Sequence, residues 1–314
     1  MTLRPELLVT LCPSFPHFNK FAHDSRLVGI RLNSAMLSPD QIKEELALAQ
    51  DLPVPLWFDV KGRQLRVTEA LDNPDYCDIR LNHPIQVNTP TVVLLKGGGE
   101  AGLLGEVLED GYRLVFSANP EHEVHSGESI HIRCPSLKVG TDPLFVEGER
   151  EKIDIVLKAG VTRWVLSYVE EQSDIDTLRE IIGPDAELLL KIESQRGLDF
   201  VANHYKKDNR TRLVAACGDL YVEVDQPHDI LAALQLIIEH DPDAIAASRM
   251  LLSLVHEPVP SFADLTQLAW IYDQGYRTFM LCDELCMKEE LLTPATNVFE
   301  AFRNSYQSNP GDFK

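Results

Sequence analysis

At 314 residues, with 44% hydrophobic and 25% charged side chains, the chain has material for one large domain or two ordinary ones and lacks the composition of a disordered segment. Its 29 Lys+Arg against 49 Asp+Glu leave a formal net charge of -20, which excludes a general nucleic-acid surface because a phosphate backbone needs basic partners. The same charge repels small anions unless a local cation cluster or a metal receives them.

In chain order, the apolar runs LLVTLCP, LVGIRLN and VPLWFDV come first, with the amphipathic stretch SPDQIKEELALAQ between the second and third. From Val67 to Arg150 the texture changes to Gly, Pro, Asn and alternating β-type residues, as in PIQVNTPTVVLLKGGG, YRLVFSANP and SIHIRCPSLKVG. We read residues 67–150 as an inserted small β domain. Within it, KGGGEAG lacks the Lys-Ser/Thr pair of a phosphate loop and reads as a hairpin turn. The histidines 122, 125 and 131 of HEVHSGESIH read as solvated residues of a polar hairpin rather than metal ligands.

Five further apolar runs follow: TRWVLSYV, AELLLKIE, RLVAACGDL, DAIAASRM and RTFMLCDE. Helical patterns separate them at SDIDTLREII, PHDILAALQLIIEH and SFADLTQLAWIYDQG, the last with Ser261 placed as N-cap. Near-continuous apolar strands alternating with amphipathic helices are the pattern of parallel strands buried on both faces. Eight of them predict an α/β fold, a (β/α)8 TIM barrel built from residues 1–66 and 151–314, with the β-rich insertion after strand 3. The segment LLTPATNVFEAFRNSYQSNPGDFK offers one helix and a polar tail. The largely apolar DILAALQLII predicts self-association as a dimer.

No stretch approaches the roughly 20 apolar residues of a membrane span, and MTLRPELLVTLCPSF lacks the sections of a secretory signal. The 6 cysteines form no CxxC pair, so reduced thiols in a cytoplasmic protein are expected, with no membrane partner.

Barrels of this kind carry their working residues at the C-terminal ends of strands. Those ends supply Arg31 and Asn33, Asp59 and Lys61 with Arg66 beyond, Lys191 and Glu193, Gly218 and Asp219, Ser248, and Glu284. A strand that only fills a core has no use for the Lys-Ile-Glu at the end of AELLLKIE, since unpaired buried charge costs several kcal/mol. Glu193 and Asp219 are hard oxygen ligands one strand-helix-strand step apart, suited to Mg²⁺ or Mn²⁺. Arg31, Arg66 and Lys191 supply positive charge for a phosphate or an enolate. Cys217 and Cys282 also sit at strand ends, but no histidine is tied to either, and they read as small buried hydrophobes.

In this order RLNSAML, FDVKGRQLR, KIESQRG, ACGDLYVE, ASRMLLS and MLCDE resemble the motifs of the pyruvate kinase family. The resemblance covers most of the chain, insertion included, without the family's C-terminal allosteric domain. It implies a metal-dependent enzyme acting on phosphoenolpyruvate, pyruvate or a related 2-oxo acid through an enolate, with ADP or ATP as nucleotide partner. Under it Glu193 and Asp219 hold the metal and Lys191 handles the enolate or its proton. Arg31 and Arg66 face the transferred phosphoryl group, Ser248 stands for a threonine, and Asn33, Asp59, Lys61, Gly218 and Asp219 bind substrate. The departures fall on the other half of the site. Ala35 lacks a hydroxyl that helps hold a monovalent cation in the family, which counts against one here. Met36 and Leu37 replace His-Gly, Val60 a threonine, Cys217 an arginine, Tyr221 a glycine, and Cys282-Asp283 a Ser-Gly. Those losses leave two alternatives open: a C-C lyase using the same enolate, and a non-catalytic ligand sensor.

Overall fold

The computed structural model of the protein describes residues 4–35, 37–71, 76–121 and 123–306. Three strands open the chain, β1 (Glu6–Thr10), β2 (Leu27–Asn33) and β3 (Leu56–Lys61). An excursion follows with β4 (Val67–Ala70), β5 (Asp78–Leu81), β6 (Ile85–Gln86), β7 (Thr91–Leu95), β8 (Glu100–Leu108), β9 (Arg113–Ala118) and β10 (Lys138–Val139). The chain then returns with β11 (Arg163–Ser167), β12 (Glu187–Ile192), β13 (Thr211–Ala216), β14 (Ile245–Ala247) and β15 (Thr278–Met280). β1 to β3 and β11 to β15 form a closed barrel in which each strand pairs in parallel with its chain neighbour and β15 closes on β1. All eight apolar runs of the sequence are barrel strands.

Ten helices are described: α1 (Phe18–Ala22), α2 (Pro39–Leu48), α3 (Glu147–Lys158), α4 (Gln172–Ile182), α5 (Gln195–Asn203), α6 (Cys217–Glu223), α7 (Asp229–His240), α8 (Phe262–Asp273), α9 (Asp283–Cys286) and α10 (Glu289–Ser305). Ser38 with Gln41 and Ser261 with Asp264 form the capping boxes that start α2 and α8, satisfying N–H groups the helix cannot pair itself. α3 was not foreseen: it begins in a stretch that reads as β insertion, and it packs against α2 and β3. The excursion forms a five-stranded antiparallel sheet, order β4-β5-β9-β8-β7, and a small β6-β10 ribbon around its own core, which includes Ile79, Val93, Leu104 and Phe116. β7 and β8 pair across the Gly97-Gly98 turn, where both φ angles are positive, so KGGGEAG is the hairpin turn expected.

Pleating explains why these strands read as unbroken apolar runs. In β12, Leu188, Leu190 and Ile192 pack outward against helices, whereas Leu189 packs inward with Leu8, Trp57, Val165, Val214, Ile245 and Met280. Lys191 is two residues after Leu189 and therefore points inward too, one layer higher. The same alternation puts Arg31 and Asn33 of β2, Asp59 and Lys61 of β3 and Ser167 of β11 inside the barrel at its C-terminal end. Charge in these strands thus sits where the apolar filling stops.

Candidate active site at the C-terminal end of the barrel

A cavity of about 470 Å³ opens at that end of the barrel, beneath the inserted sheet. Arg31, Asn33, Lys61, Arg66, Lys191, Glu193, Gly218, Asp219, Ser248 and Glu284, all foreseen as strand-end residues, line it together. Five cations (Arg31, Lys61, Arg66, Lys191 and Arg249) face four carboxylates (Glu193, Asp219, Asp283 and Glu284), so the cavity escapes the strongly acidic balance of the whole chain.

Asp59 departs from expectation. It is wholly buried below the cavity, where Nη2 of Arg31 lies 2.5 Å and Nζ of Lys61 3.0 Å from its Oδ2, and Ser167 Oγ donates to its Oδ1 at 2.7 Å. Its partners leave no oxygen for substrate; it is the internal counter-ion that aims Arg31 and Lys61. Burial opposes its charge, but Lys61, Arg31 and Lys191 outweigh it and hold the carboxyl far below its usual range.

Ser167, unnoticed in the sequence, also accepts from Lys191 Nζ at 3.3 Å and from Lys61 Nζ at 3.5 Å, linking the two lysines. Lys191 Nζ lies 2.6 Å from Glu193 Oε1. That contact lacks hydrogen-bond geometry, so Oε1 is buried in ionic contact without an aligned donor, while Oε2 accepts the Tyr168 N–H at 2.7 Å. Burial pushes Lys191 down, yet Glu193 and Asp59 keep it above an ordinary lysine. Burial pulls Lys61 down to about 8, and Lys191 and Arg31 add to the fall against the opposing pull of Asp59.

Glu193 and Asp219 act on each other electrostatically. Burial and Asp219 raise Glu193, while for Asp219 the cations Lys191, His131 and Arg66 outweigh burial and keep it low. A buried, unaligned carboxylate oxygen beside a second carboxylate is a donor set that fits a hard divalent cation. Among the described residues no three His, Cys, Asp or Glu side chains are gathered around one point, so such an ion would rest on two carboxylates and keep positions for other oxygens.

Gly218 also differs from expectation. Its N–H, which the resemblance places among the substrate contacts, donates to Ser248 Oγ at 2.9 Å, and Ser248 itself has φ +60. This bond fixes Ser248 at the cavity wall.

His131 departs most from the sequence reading. It is 1% exposed, its Nδ1 is 2.5 Å from Glu223 Oε1, and its unpartnered Nε2 points toward Asp219 Oδ1 at 3.8 Å. Tyr168 donates its hydroxyl to the same Glu223 oxygen at 2.7 Å. The histidine is buried because the inserted sheet lies on the barrel, a packing that no local pattern announces. His122 and Met36 lie outside the described residues. Cys217 and Cys282 are buried, and burial pushes both thiols up to about 12, which keeps them protonated and inert.

Comparison with known proteins places this geometry in context. The family model described as "Pyruvate kinase, barrel domain" matches residues 114–288, more than half of the chain. A pyruvate kinase of Methanocaldococcus jannaschii is 25% identical over 301 residues, covering 90% of this chain and 65% of that protein. One from Borreliella burgdorferi is 25% identical over 298 residues (86% and 61%), and pyruvate kinase 1 of Saccharomyces cerevisiae is 26% identical over 295 residues (83% and 57%). The chain thus spans about three fifths of the length of these relatives.

Proposed function

This chain belongs to the pyruvate kinase family, and from that premise we propose that the barrel mouth acts on phosphoenolpyruvate, pyruvate or a related 2-oxo acid through an enolate. The observation that carries this reading is the convergence of Lys191, Glu193, Asp219 and Arg31 on one cavity whose local charge is far less negative than that of the chain. Glu193 and Asp219 would hold Mg²⁺ or Mn²⁺, which supplies charge neutralisation for an enolate oxygen. Lys191, kept protonated by Glu193, opposes the same developing charge and in that form can donate a proton to the enolate carbon. Ser167 connects it to Lys61, whose neutral form is accessible near pH 8. Ser248, fixed by the Gly218 N–H, forms the opposite wall. The family resemblance assigns a phosphoryl group, with ADP or ATP as its other partner, to Arg31 and Arg66; of the two, Arg66 has no contacting carboxylate, whereas Arg31 is engaged by Asp59, Thr10 and Asp283.

Residues 67–150, read as one inserted unit over a barrel of 1–66 and 151–314, end inside α3, whose first turn at Glu147 packs with the barrel, and the chain acts in this reading as a cytoplasmic dimer. Among the described residues no helix is long and apolar enough to cross a membrane. A second reading, a C-C lyase that uses the same enolate without a nucleotide, is favoured by Asp283, whose carboxylate closes onto Arg31 and Asn33.

Oxalate, a planar dianion shaped like an enolate of pyruvate, tests the reading by calorimetry. Oxalate is expected to bind only with Mg²⁺ or Mn²⁺, and the Glu193→Ala/Asp219→Ala variant is expected to lose that affinity by more than the roughly 10- to 100-fold seen when only a supporting partner of a metal ligand is removed. Metal-independent oxalate binding, or an unchanged affinity in a folded double variant, contradicts the assignment.

A further inference from the structure

Asp283 begins α9 immediately after the β15 strand end and leans over the β2 side of the cavity. Its Oδ2 lies 3.4 Å from Nη1 of Arg31, and its Oδ1 accepts from Nδ2 of Asn33 at 3.0 Å. Arg31 is already engaged elsewhere. Its Nε and Nη2 contact Asp59 at 2.7 and 2.5 Å, and Nη1 also donates to Thr10 Oγ1 at 3.1 Å. A guanidinium carries five N–H donors and recognises phosphate by offering a free edge to two oxygens. With Asp59 on one edge and Thr10 and Asp283 on the other, Arg31 keeps no free edge.

The remaining cations divide. Lys191 is paired with Glu193 and Lys61 with Asp59. Arg66 and Arg249 donate instead to neutral oxygens, of Gly127 and Gln64 and of Gly97, so no contacting carboxylate offsets either charge, and both lie apart from the Arg31–Asn33 face that Asp283 covers. A phosphoryl group brought to Arg31 and Asn33 would also meet the Asp283 carboxylate, and like charges juxtaposed in a binding site oppose association strongly. Asp283 is 43% exposed, so replacing it leaves no buried hole.

We propose that Asp283 serves as an internal anion that fills the anion-binding face of Arg31 and Asn33, so that the site selects unphosphorylated 2-oxo acids over phosphorylated ones. The inference rests on the enolate-site reading above and narrows its substrate class. It favours chemistry beside a carbonyl group over phosphoryl transfer.

Calorimetric titrations at fixed Mg²⁺ with oxalate, inorganic phosphate and phosphoenolpyruvate test it, using the unaltered protein, Asp283→Gly and Asp283→Asn. Oxalate is expected to bind the unaltered protein at least about tenfold more tightly than phosphate or phosphoenolpyruvate. Asp283→Gly is expected to raise the affinity of both phosphorylated ligands relative to oxalate by about tenfold or more, with Asp283→Asn between the two because it removes charge but keeps a polar contact. Phosphoenolpyruvate binding to the unaltered protein as tightly as oxalate, or an order of affinities indifferent to residue 283, overturns this inference while leaving the enolate site standing. Failure of oxalate to bind the unaltered protein overturns both.

Discussion

Lys61 and Lys191 share the Ser167 hydroxyl, yet their surroundings set them apart. Lys191 stays charged because Glu193 and Asp59 outweigh its burial. Burial, with Lys191 and Arg31 nearby, lowers Lys61 to about 8. A base must lose its proton before it can accept one. Any proton abstraction that uses Lys61 therefore accelerates as pH rises and levels off above about 8. Exchange of pyruvate methyl protons followed by NMR between pH 6 and 10 is expected to show that rise, and Lys61→Met to abolish it. An inflection that survives in Lys61→Met assigns the titration to another group. The residue types at strand ends were legible in the sequence, since parity along β2, β3 and β12 decides which side chains face inward. Their partners were not. Asp59 reads as a substrate contact until Arg31, Lys61 and Ser167 are seen to occupy its oxygens, and His131 reads as solvated until the inserted sheet buries it.

Among the elements, the join between the inserted sheet and the barrel rests on a few polar contacts. His131 and Tyr168 converge on Glu223 at the end of α6, Arg133 donates to the Val222 carbonyl, and Arg249 donates to the Gly97 carbonyl at 3.3 Å. Glu223→Ala removes the shared carboxylate partner of a buried imidazole and a buried phenol and leaves them only their mutual contact at 3.3 Å, a loss on the order of 1–3 kcal/mol. Chemical denaturation is expected to register it as an earlier midpoint. An unchanged midpoint would show that the join does not depend on this carboxylate. The barrel strands followed from near-continuous apolar runs and the long helices from their period of 3.6 residues. α3 escaped because its charged first turn continues the polar texture of the insertion, and α6 and α9 are too short to establish a period.

At the scale of the whole molecule, a chain of net charge -20 concentrates five cations and a pair of interacting carboxylates at one end of a barrel. That concentration is the basis for placing enolate chemistry there. Fold class and the position of the insertion could be read from the order of apolar runs, whereas the self-filled anion face at Asp283 depends on two strand ends and a loop meeting in space. The most direct measurement is proton NMR of pyruvate in heavy water with Mg²⁺ and no nucleotide. The methyl signal is expected to be lost through deuterium exchange, slowed roughly 10²- to 10⁴-fold by Lys191→Ala. Exchange no faster than in buffer, from a protein that binds oxalate with Mg²⁺, would contradict catalysis and leave a ligand-binding barrel.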